Sequence, residues 1–434
     1  MNAPIANGSL TAALDRYVRT KPVSAEDLRR TALFTLDAIA GIVVGRFAGA
    51  GPKLAAWAGA TAIDAGRRAF LLGAYSNILE MDAMHRESAV HAGTVVVPAA
   101  LAVAERTGCD GRTVLTAILK GCEVAFRIGA AVGPSHYKIY QNTATCGPFG
   151  AAMAASLLLG LDPAQTVDAL GNAGTTTGGL WEFLASGAMS KQVHAGRAAE
   201  SGVVAAELAR HGLTGPPAIL EGSRGFFRAA CPDGDPAAVM RDPDRGWALH
   251  RSSTKPWPSP RHTHPAIDAA LALASEVRGR PIDKVRVDTY QVAVDLCGHA
   301  DPRDAHEAKF SVQHCVAAAL MDGVVDFDSF DDAALAKLGP LTRRVELRAA
   351  EPFLSAYPKA WGARVEAVFA DGTTATASRD HAKGDPEAPM SAGDIADKAR
   401  DLLERAGLAD PAALIASVLA MAEGGPLVSL PPGV

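Results

Sequence analysis

Fourteen residues, Met81-Asp-Ala-Met-His-Arg-Glu-Ser-Ala-Val-His-Ala-Gly-Thr94, hold the densest set of groups suited to proton transfer in this chain. Asp82, His85, Arg86, Glu87 and His91 fall there, and a nearly pure apolar run, Val95–Ala104, follows at once. A polar loop with two helix caps is the plain alternative. The apolar run decides against it: that run must be buried, so the loop brings its titratable groups to the mouth of a core. His91 and Thr94 then stand at a helix N-terminus, where free N–H groups and the helix dipole favour an anion. The two histidines lack a third ligand at metal spacing, so a metal centre is not expected.

Four further stretches carry candidates. Tyr140–Gly150 places Gln141, Asn142 and Thr143 ahead of Cys146-Gly147-Pro148. Its plain reading is a loop capped by Thr145 with Pro148 in the first helical turn; its functional reading is a set of N–H groups for a carboxylate. Cys146 has no adjacent group to lower its pKa and is expected to be a buried thiol. In Ser186–Arg197, Lys191 and His194 stand at the start of an Ala/Gly-rich helix, where a cation opposes the dipole unless an anion binds. Thr254–His264 is stiffened by three prolines and carries Lys255, Arg261, His262 and His264; a stiff linker is its alternative. In Ala305–Val316, His306, Lys309 and Gln313 are expected on one helix face, with His314 one position on. A lone helical histidine is more often a packing residue. No G-x-G-x-x-G, Walker, G-x-S-x-G or H-E-x-x-H pattern occurs, which sets aside nucleotide, α/β-hydrolase and zincin chemistry.

These groups need a scaffold. The first two-thirds of the chain is rich in Ala, Leu and Gly at helical spacing. Ser24 and Asp27 look like a capping box opening a helix over Ala25–Gly45. Further helices are expected over Pro52–Ala65, Phe70–Met81, Val95–Thr107, Arg112–Ala131, Pro148–Leu159, Pro163–Ala173 and Lys191–His211. After Glu276 the pattern changes. Lys284–Val292, Val345–Ala349, Arg364–Ala370 and Thr373–Arg379 read as strands, with Asp371-Gly372 as a hairpin turn and Ala305–Met321 as a helix among them. Helical pattern returns over Asp394–Ala406 and Pro411–Ala422. The expected fold is mainly α: a large all-helical domain from residues 1–275 and 391–434, with a smaller α+β lid domain, 276–390, inserted into it.

The 434 residues exceed what one hydrophobic core usually serves. With 48% hydrophobic and 21% charged residues the chain is globular, and a net charge of −5 gives neither a nucleic-acid footprint nor a membrane anchor. Residues Met1–Leu10 lack a leader pattern, the apolar runs are too short for a bilayer, and six scattered Cys suit a reducing compartment; a cytoplasmic protein is expected.

The stretches Asp82–Gly93, Thr143–Gly150, Gly187–Gly202, Lys255–Ser259, His262–His264 and Ala308–Ser311 together resemble the MmgE/PrpD family. That family includes 2-methylcitrate dehydratase, cis-aconitate decarboxylase and iminodisuccinate epimerase. The resemblance implies a helical domain built from both chain ends, an α+β lid with the site between the two, a homodimer, and cofactor-free chemistry on small di- or tricarboxylates. The family's loop His matches His91, the acidic residue before it matches Asp82, and its site lysines match Lys191 and Lys255. At three positions this chain departs from the family pattern. Gln141 stands where a second His is common, Pro260 where relatives often have Cys, and His314 where the decarboxylase has Tyr.

The expected activity is a lyase of the 2-methylcitrate dehydratase type, abstracting a proton α to a carboxylate. An epimerase-like isomerase is the alternative, and a non-catalytic carboxylate-binding protein the alternative of another class. Lys191, Lys255 and His264 would supply positive charge, with His91 and His314 as general base and acid. Asp82 would orient His85 or His91; Gln141, Asn142, His194 and His262 would complete the substrate contacts. No cofactor and no metal are expected.

Overall fold

The computed structural model describes residues 8–59 and 63–434. Residues Met1–Asn7, read above for a leader, and residues 60–62 of the expected Pro52–Ala65 helix lie outside the described residues. The described residues are mainly helical, with small sheets.

The chain divides into two units: Met1–Ser253 with Ser391–Val434, and Thr254–Met390. The division falls earlier than the expected boundary at 276. The His264–Val277 helix accounts for the difference. It is apolar, and it packs on the Val312–Asp322 helix and on the two C-terminal strands of the sheet. Composition alone does not reveal which neighbour an apolar helix buries its face against.

In the first unit the Ala25–Phe47 helix opens with the Ser24/Asp27 capping box, both halves formed. The Val96–Thr107 helix buries its whole first half; Val95, Val96 and Val97 are fully shielded. The Gly111–Ala131, Asn142–Leu158 and Ser190–Arg210 helices pack around it at short range, and small residues make this possible. A Cβ added at Gly121 would lie 2.6 Å from the Gly150 carbonyl oxygen, and one at Gly202 would lie 2.3 Å from the Ala151 Cβ. The Ala392–Arg405 helix, opened by a Ser391/Asp394 capping box, returns to pack on the Ala25–Phe47 helix.

Three helix expectations need correction, and each correction moves a candidate residue. The Ala65–Ser76 helix starts earlier than Phe70, capped by Asp64, and stops at Ser76, so Glu80 and Asp82 lie on a loop. The Asn142–Leu158 helix runs through Pro148, with Gln141, not Thr145, at its N-cap position. The Thr145 hydroxyl instead meets Nε2 of His136 at 2.9 Å. Ala305–Met321 is two helices, Ala305–Lys309 and Val312–Asp322; the Ser311 hydroxyl accepts the His314 N–H and starts the second. His306 and Lys309 therefore do not share a continuous helix face with Gln313.

The second unit is built on a four-stranded sheet. Its spatial order is Val345–Ala349, Ile282–Thr289, Ala363–Phe369, Thr374–Arg379; the first pair is parallel and the others antiparallel. The last two strands form the expected hairpin, and Gly372 takes a positive φ of 83° in its turn. Ala363–Phe369 alternates buried and half-buried residues, as a sheet covered on one face requires. Val285, Val287, Val365 and Phe369 join Ile267, Leu273 and Val316 in one core.

Among the described residues no single helix is long and apolar enough to cross a membrane.

Candidate active site

The loop between the Ala65–Ser76 and Val96–Thr107 helices is held in a demanding backbone conformation. Three described non-glycine residues have positive φ, and two are in this loop: Glu80 at 61° and Ala89 at 50°. Such conformations are costly and persist only when surrounding contacts enforce them. Here the contacts are visible. Asn142 Nδ2 donates to the Ser88 carbonyl at 2.7 Å, and the His91 N–H donates to Thr143 Oγ1 at 3.0 Å. A short bridge between Met84–His85 and Ser252–Ser253 ties down the middle of the loop.

The result is a carboxylate–imidazole pair. His91 Nδ1 lies 2.6 Å from Asp82 Oδ2, with His91 13% and Asp82 4% exposed at the side chain. Asn77 Nδ2 donates to the same Asp82 oxygen at 3.1 Å. A carboxylate on Nδ1 fixes the ring's orientation, leaving Nε2 as the atom for proton exchange.

Lys191 reaches the same neighbourhood from the first turn of the Ser190–Arg210 helix and pairs with Glu80. Burial opposes its charge, but the Glu80 and Asp82 carboxylates outweigh that and hold its pKa above the ordinary lysine value. Lys191 is therefore a cation at neutral pH, with three N–H donors. One turn on, His194 Nδ1 donates to Gln141 Oε1 at 2.8 Å. Burial, then the Lys191 charge, lowers the His194 pKa, so His194 is neutral at pH 7. Asp82, His91, Gln141, Asn142, Lys191 and His194 are thus linked by contacts within one unit.

His85 is placed apart from that chemistry. Its ring is 2% exposed, stacks on Phe126 with centroids 4.5 Å apart, and meets Ser88 Oγ at 2.9 Å through Nδ1. Burial, followed by the Arg251, Arg245 and Arg86 charges, lowers its pKa to about 3. Asp82 therefore orients His91, and His85 serves as a packed anchor of the loop. Cys146 is fully buried and its thiol is pushed far up, which suits packing and not nucleophilic attack.

The remaining candidates belong to the second unit. Lys255 is almost fully buried. His262 stacks on Trp361 at 4.6 Å and shares a 2.8 Å contact with the Tyr290 hydroxyl. Burial, then Arg261 and Lys255, lowers its pKa to about 3. Beside it Arg261 forms a buried ion pair with Asp385. His264 is fully buried, its Nε2 3.1 Å from the Ser259 carbonyl. His314 is also fully buried; its Nε2 donates to the Ser329 carbonyl at 2.7 Å, and burial lowers its pKa. That bond occupies Nε2, while Nδ1 is buried without a hydrogen-bond partner. Among the described residues one group, His381, Asp385 and Glu387, brings potential metal-ligand atoms within 4.8 Å of one another. Asp385 already faces the Arg261 guanidinium there, which opposes a second cation.

Sequence reasoning did not single out Glu80 or Asn77. Both precede the marked stretch by a few residues, and the only signal was an acid two positions before Asp82.

Two family models match the chain, the MmgE/PrpD N-terminal domain over residues 35–238 and the MmgE/PrpD C-terminal domain over residues 257–421. The chain belongs to the MmgE/PrpD family. The cis-aconitate decarboxylase of Homo sapiens is 28% identical over 327 residues, covering 72% of this chain and 67% of that protein. The cis-aconitate decarboxylase-like protein oryM of Aspergillus oryzae is 27% identical, over 62% of this chain and 61% of its own length. The cis-aconitate decarboxylase of Aspergillus terreus is 36% identical over 163 residues, 36% of this chain and 33% of that protein. The matches span about two thirds or less of these relatives. The N-terminal MmgE/PrpD model covers the Asp82–His91 loop, the Gln141 helix start and Lys191 together.

Proposed function

We propose that the protein is a cofactor-independent lyase that breaks a bond next to a carboxylate in a small di- or tricarboxylate. The observation that carries this is the Asp82–His91 contact of 2.6 Å beside the Lys191 cation. A bond cleaved beside a carboxylate leaves an electron pair on carbon, spread toward the carboxylate as an enolate. Lys191 would stabilise that charge with its ammonium. His91 would move the proton at Nε2, and Asp82 would hold its ring.

The names of the relatives favour decarboxylation as the cleavage. The carbon–carboxylate bond breaks and CO2 leaves; the electron pair left on carbon spreads through the adjacent C=C bond to a remaining carboxylate, and the carbon next to that carboxylate takes the His91 proton. Dehydration is the second reading, favoured by Gln141 and by the placement of His314, which leave this chain with different groups where the family resemblance puts a His and a decarboxylase Tyr. There His91 takes the α proton, the carbon–oxygen bond breaks, and hydroxide leaves with a proton from a second acid. Both readings use His91, Asp82 and Lys191, and dehydration needs the second acid besides.

Product analysis on cis-aconitate, citrate and 2-methylcitrate separates them. CO2 release from cis-aconitate supports decarboxylation; an unsaturated acid formed from citrate or 2-methylcitrate without CO2 supports dehydration. Turnover of none of the three would refute the lyase reading.

A further inference from the structure

The Ala392–Arg405 helix carries a lysine where its pattern calls for an apolar residue. Ile395, Lys398, Ala399 and Leu402 recur at three-to-four spacing, and all four are buried. Lys398, only 8% exposed, forms an ion pair with Asp37, which lies deep in the Ala25–Phe47 helix and is 6% exposed. The same ammonium donates to the Met81 carbonyl at 2.8 Å. A buried ion pair is a poor way to gain stability, since an apolar pair of similar volume is often as good or better. Its location offers another reason. Met81 directly precedes Asp82, so the bond fixes the main chain at the point from which Asp82 reaches His91. Asp37 and Asp82 also line one small cavity, together with Ser76 and Thr94. Two carboxylates around one cavity repel each other, and the Lys398 charge offsets one of them.

We propose that Lys398 and Asp37 are positioning residues for the reaction: the Ala392–Arg405 helix inserts a cation beneath the Glu80–Asp82 loop and thereby sets the Asp82–His91 geometry. The proposal rests on the role given to His91 above. It also assigns a task in the site to the segment that returns to the helical unit after the inserted one.

The test reads geometry and turnover separately. In protein labelled with 15N-histidine, the ring nitrogen signals of His91 are identified by their loss in His91→Gln, without substrate present. Lys398→Met is expected to shift those signals toward their positions in Asp82→Asn. It should also lower kcat on cis-aconitate by about 10²-fold with little change in KM, the scale expected when a reacting group is misplaced by about 1 Å. Lys398→Arg, which keeps the charge, should restore the signals and much of the rate. The losses from Lys398→Met and Asp82→Asn should not multiply in the double variant, because one acts through the other. If Lys398→Met does not fold, Asp37→Leu/Lys398→Met removes both charges together and carries the same readouts. Unchanged His91 signals, or losses that multiply fully, would overturn the proposal. If the wild type turns over none of the carboxylates, the lyase reading fails while the His91 signals still decide the positioning claim.

Discussion

His85 and His91 are six positions apart in one loop, yet physical chemistry gives them opposite tasks. His91 keeps some exposure and faces Asp82, whereas His85 is stacked on Phe126 away from water. The sequence marks both through their residue type and the apolar run behind them. It does not show which one meets the carboxylate, because Phe126 arrives from a different helix. The packed state of His85 has a measurable consequence. Its folded pKa of about 3 lies below the ordinary value of about 6.5. Between those values the unfolded chain binds a proton that the folded chain refuses, so stability is complete above pH 6.5 and falls as pH drops toward 3. The slope from one such group is at most about 1.4 kcal/mol per pH unit. His262, also lowered to about 3, acts in the same direction in the second unit. Melting temperatures taken from pH 7 to pH 5 should fall, and His85→Gln should fall less steeply than the wild type. Equal slopes would remove His85 from this role.

At the scale of elements, the capping boxes at Ser24 and Ser391 and the Asp371-Gly372 turn are local signals, and the residues that form them carry the information. Other boundaries depend on competition. The Pro148 signal for a helix start lost to contacts that begin the helix at Asn142, and this difference puts Gln141 within reach of His194. Ser311 ended one helix and capped the next because its hydroxyl accepts the His314 N–H. Density in Ala and Gly did announce close helix packing, and Gly202 is the sharpest case, since a Cβ there meets the Ala151 Cβ at 2.3 Å and the Ala152 N at 2.5 Å. Gly202→Val should cost about 3 kcal/mol through overpacking of the helix that carries Lys191. Denaturant unfolding measures this; a loss under about 0.5 kcal/mol, the ordinary surface range, would show that the helices shift freely.

For the whole molecule, the change of texture from helix to strand revealed an inserted second unit. Its starting point was hidden because the His264–Val277 helix is apolar on the side it buries whatever its neighbour. The Ser190–Arg210 helix also has an unfinished side: Val193, Val204 and Leu208 are each at least 40% exposed. Apolar side chains along one helix face are a surface that a second copy would cover, in line with the homodimer that the family resemblance implies. Light scattering on the purified protein should give about twice the chain mass, and Val204→Asp/Leu208→Asp should halve it. A wild-type monomer at working concentration would remove this expectation.

The central claim is that His91, held by Asp82 beside Lys191, moves the proton that accompanies bond cleavage. The most direct measurement is mass and NMR analysis of product formed from cis-aconitate in deuterated water by the wild type and by His91→Gln. His91 as the proton carrier predicts CO2 release with one deuterium placed on the product carbon next to a remaining carboxylate, and a rate in His91→Gln lower by about 10²–10⁴-fold, the usual contribution of a general acid or base, at unchanged melting temperature. Full activity in His91→Gln, with the same deuterium content, would contradict it.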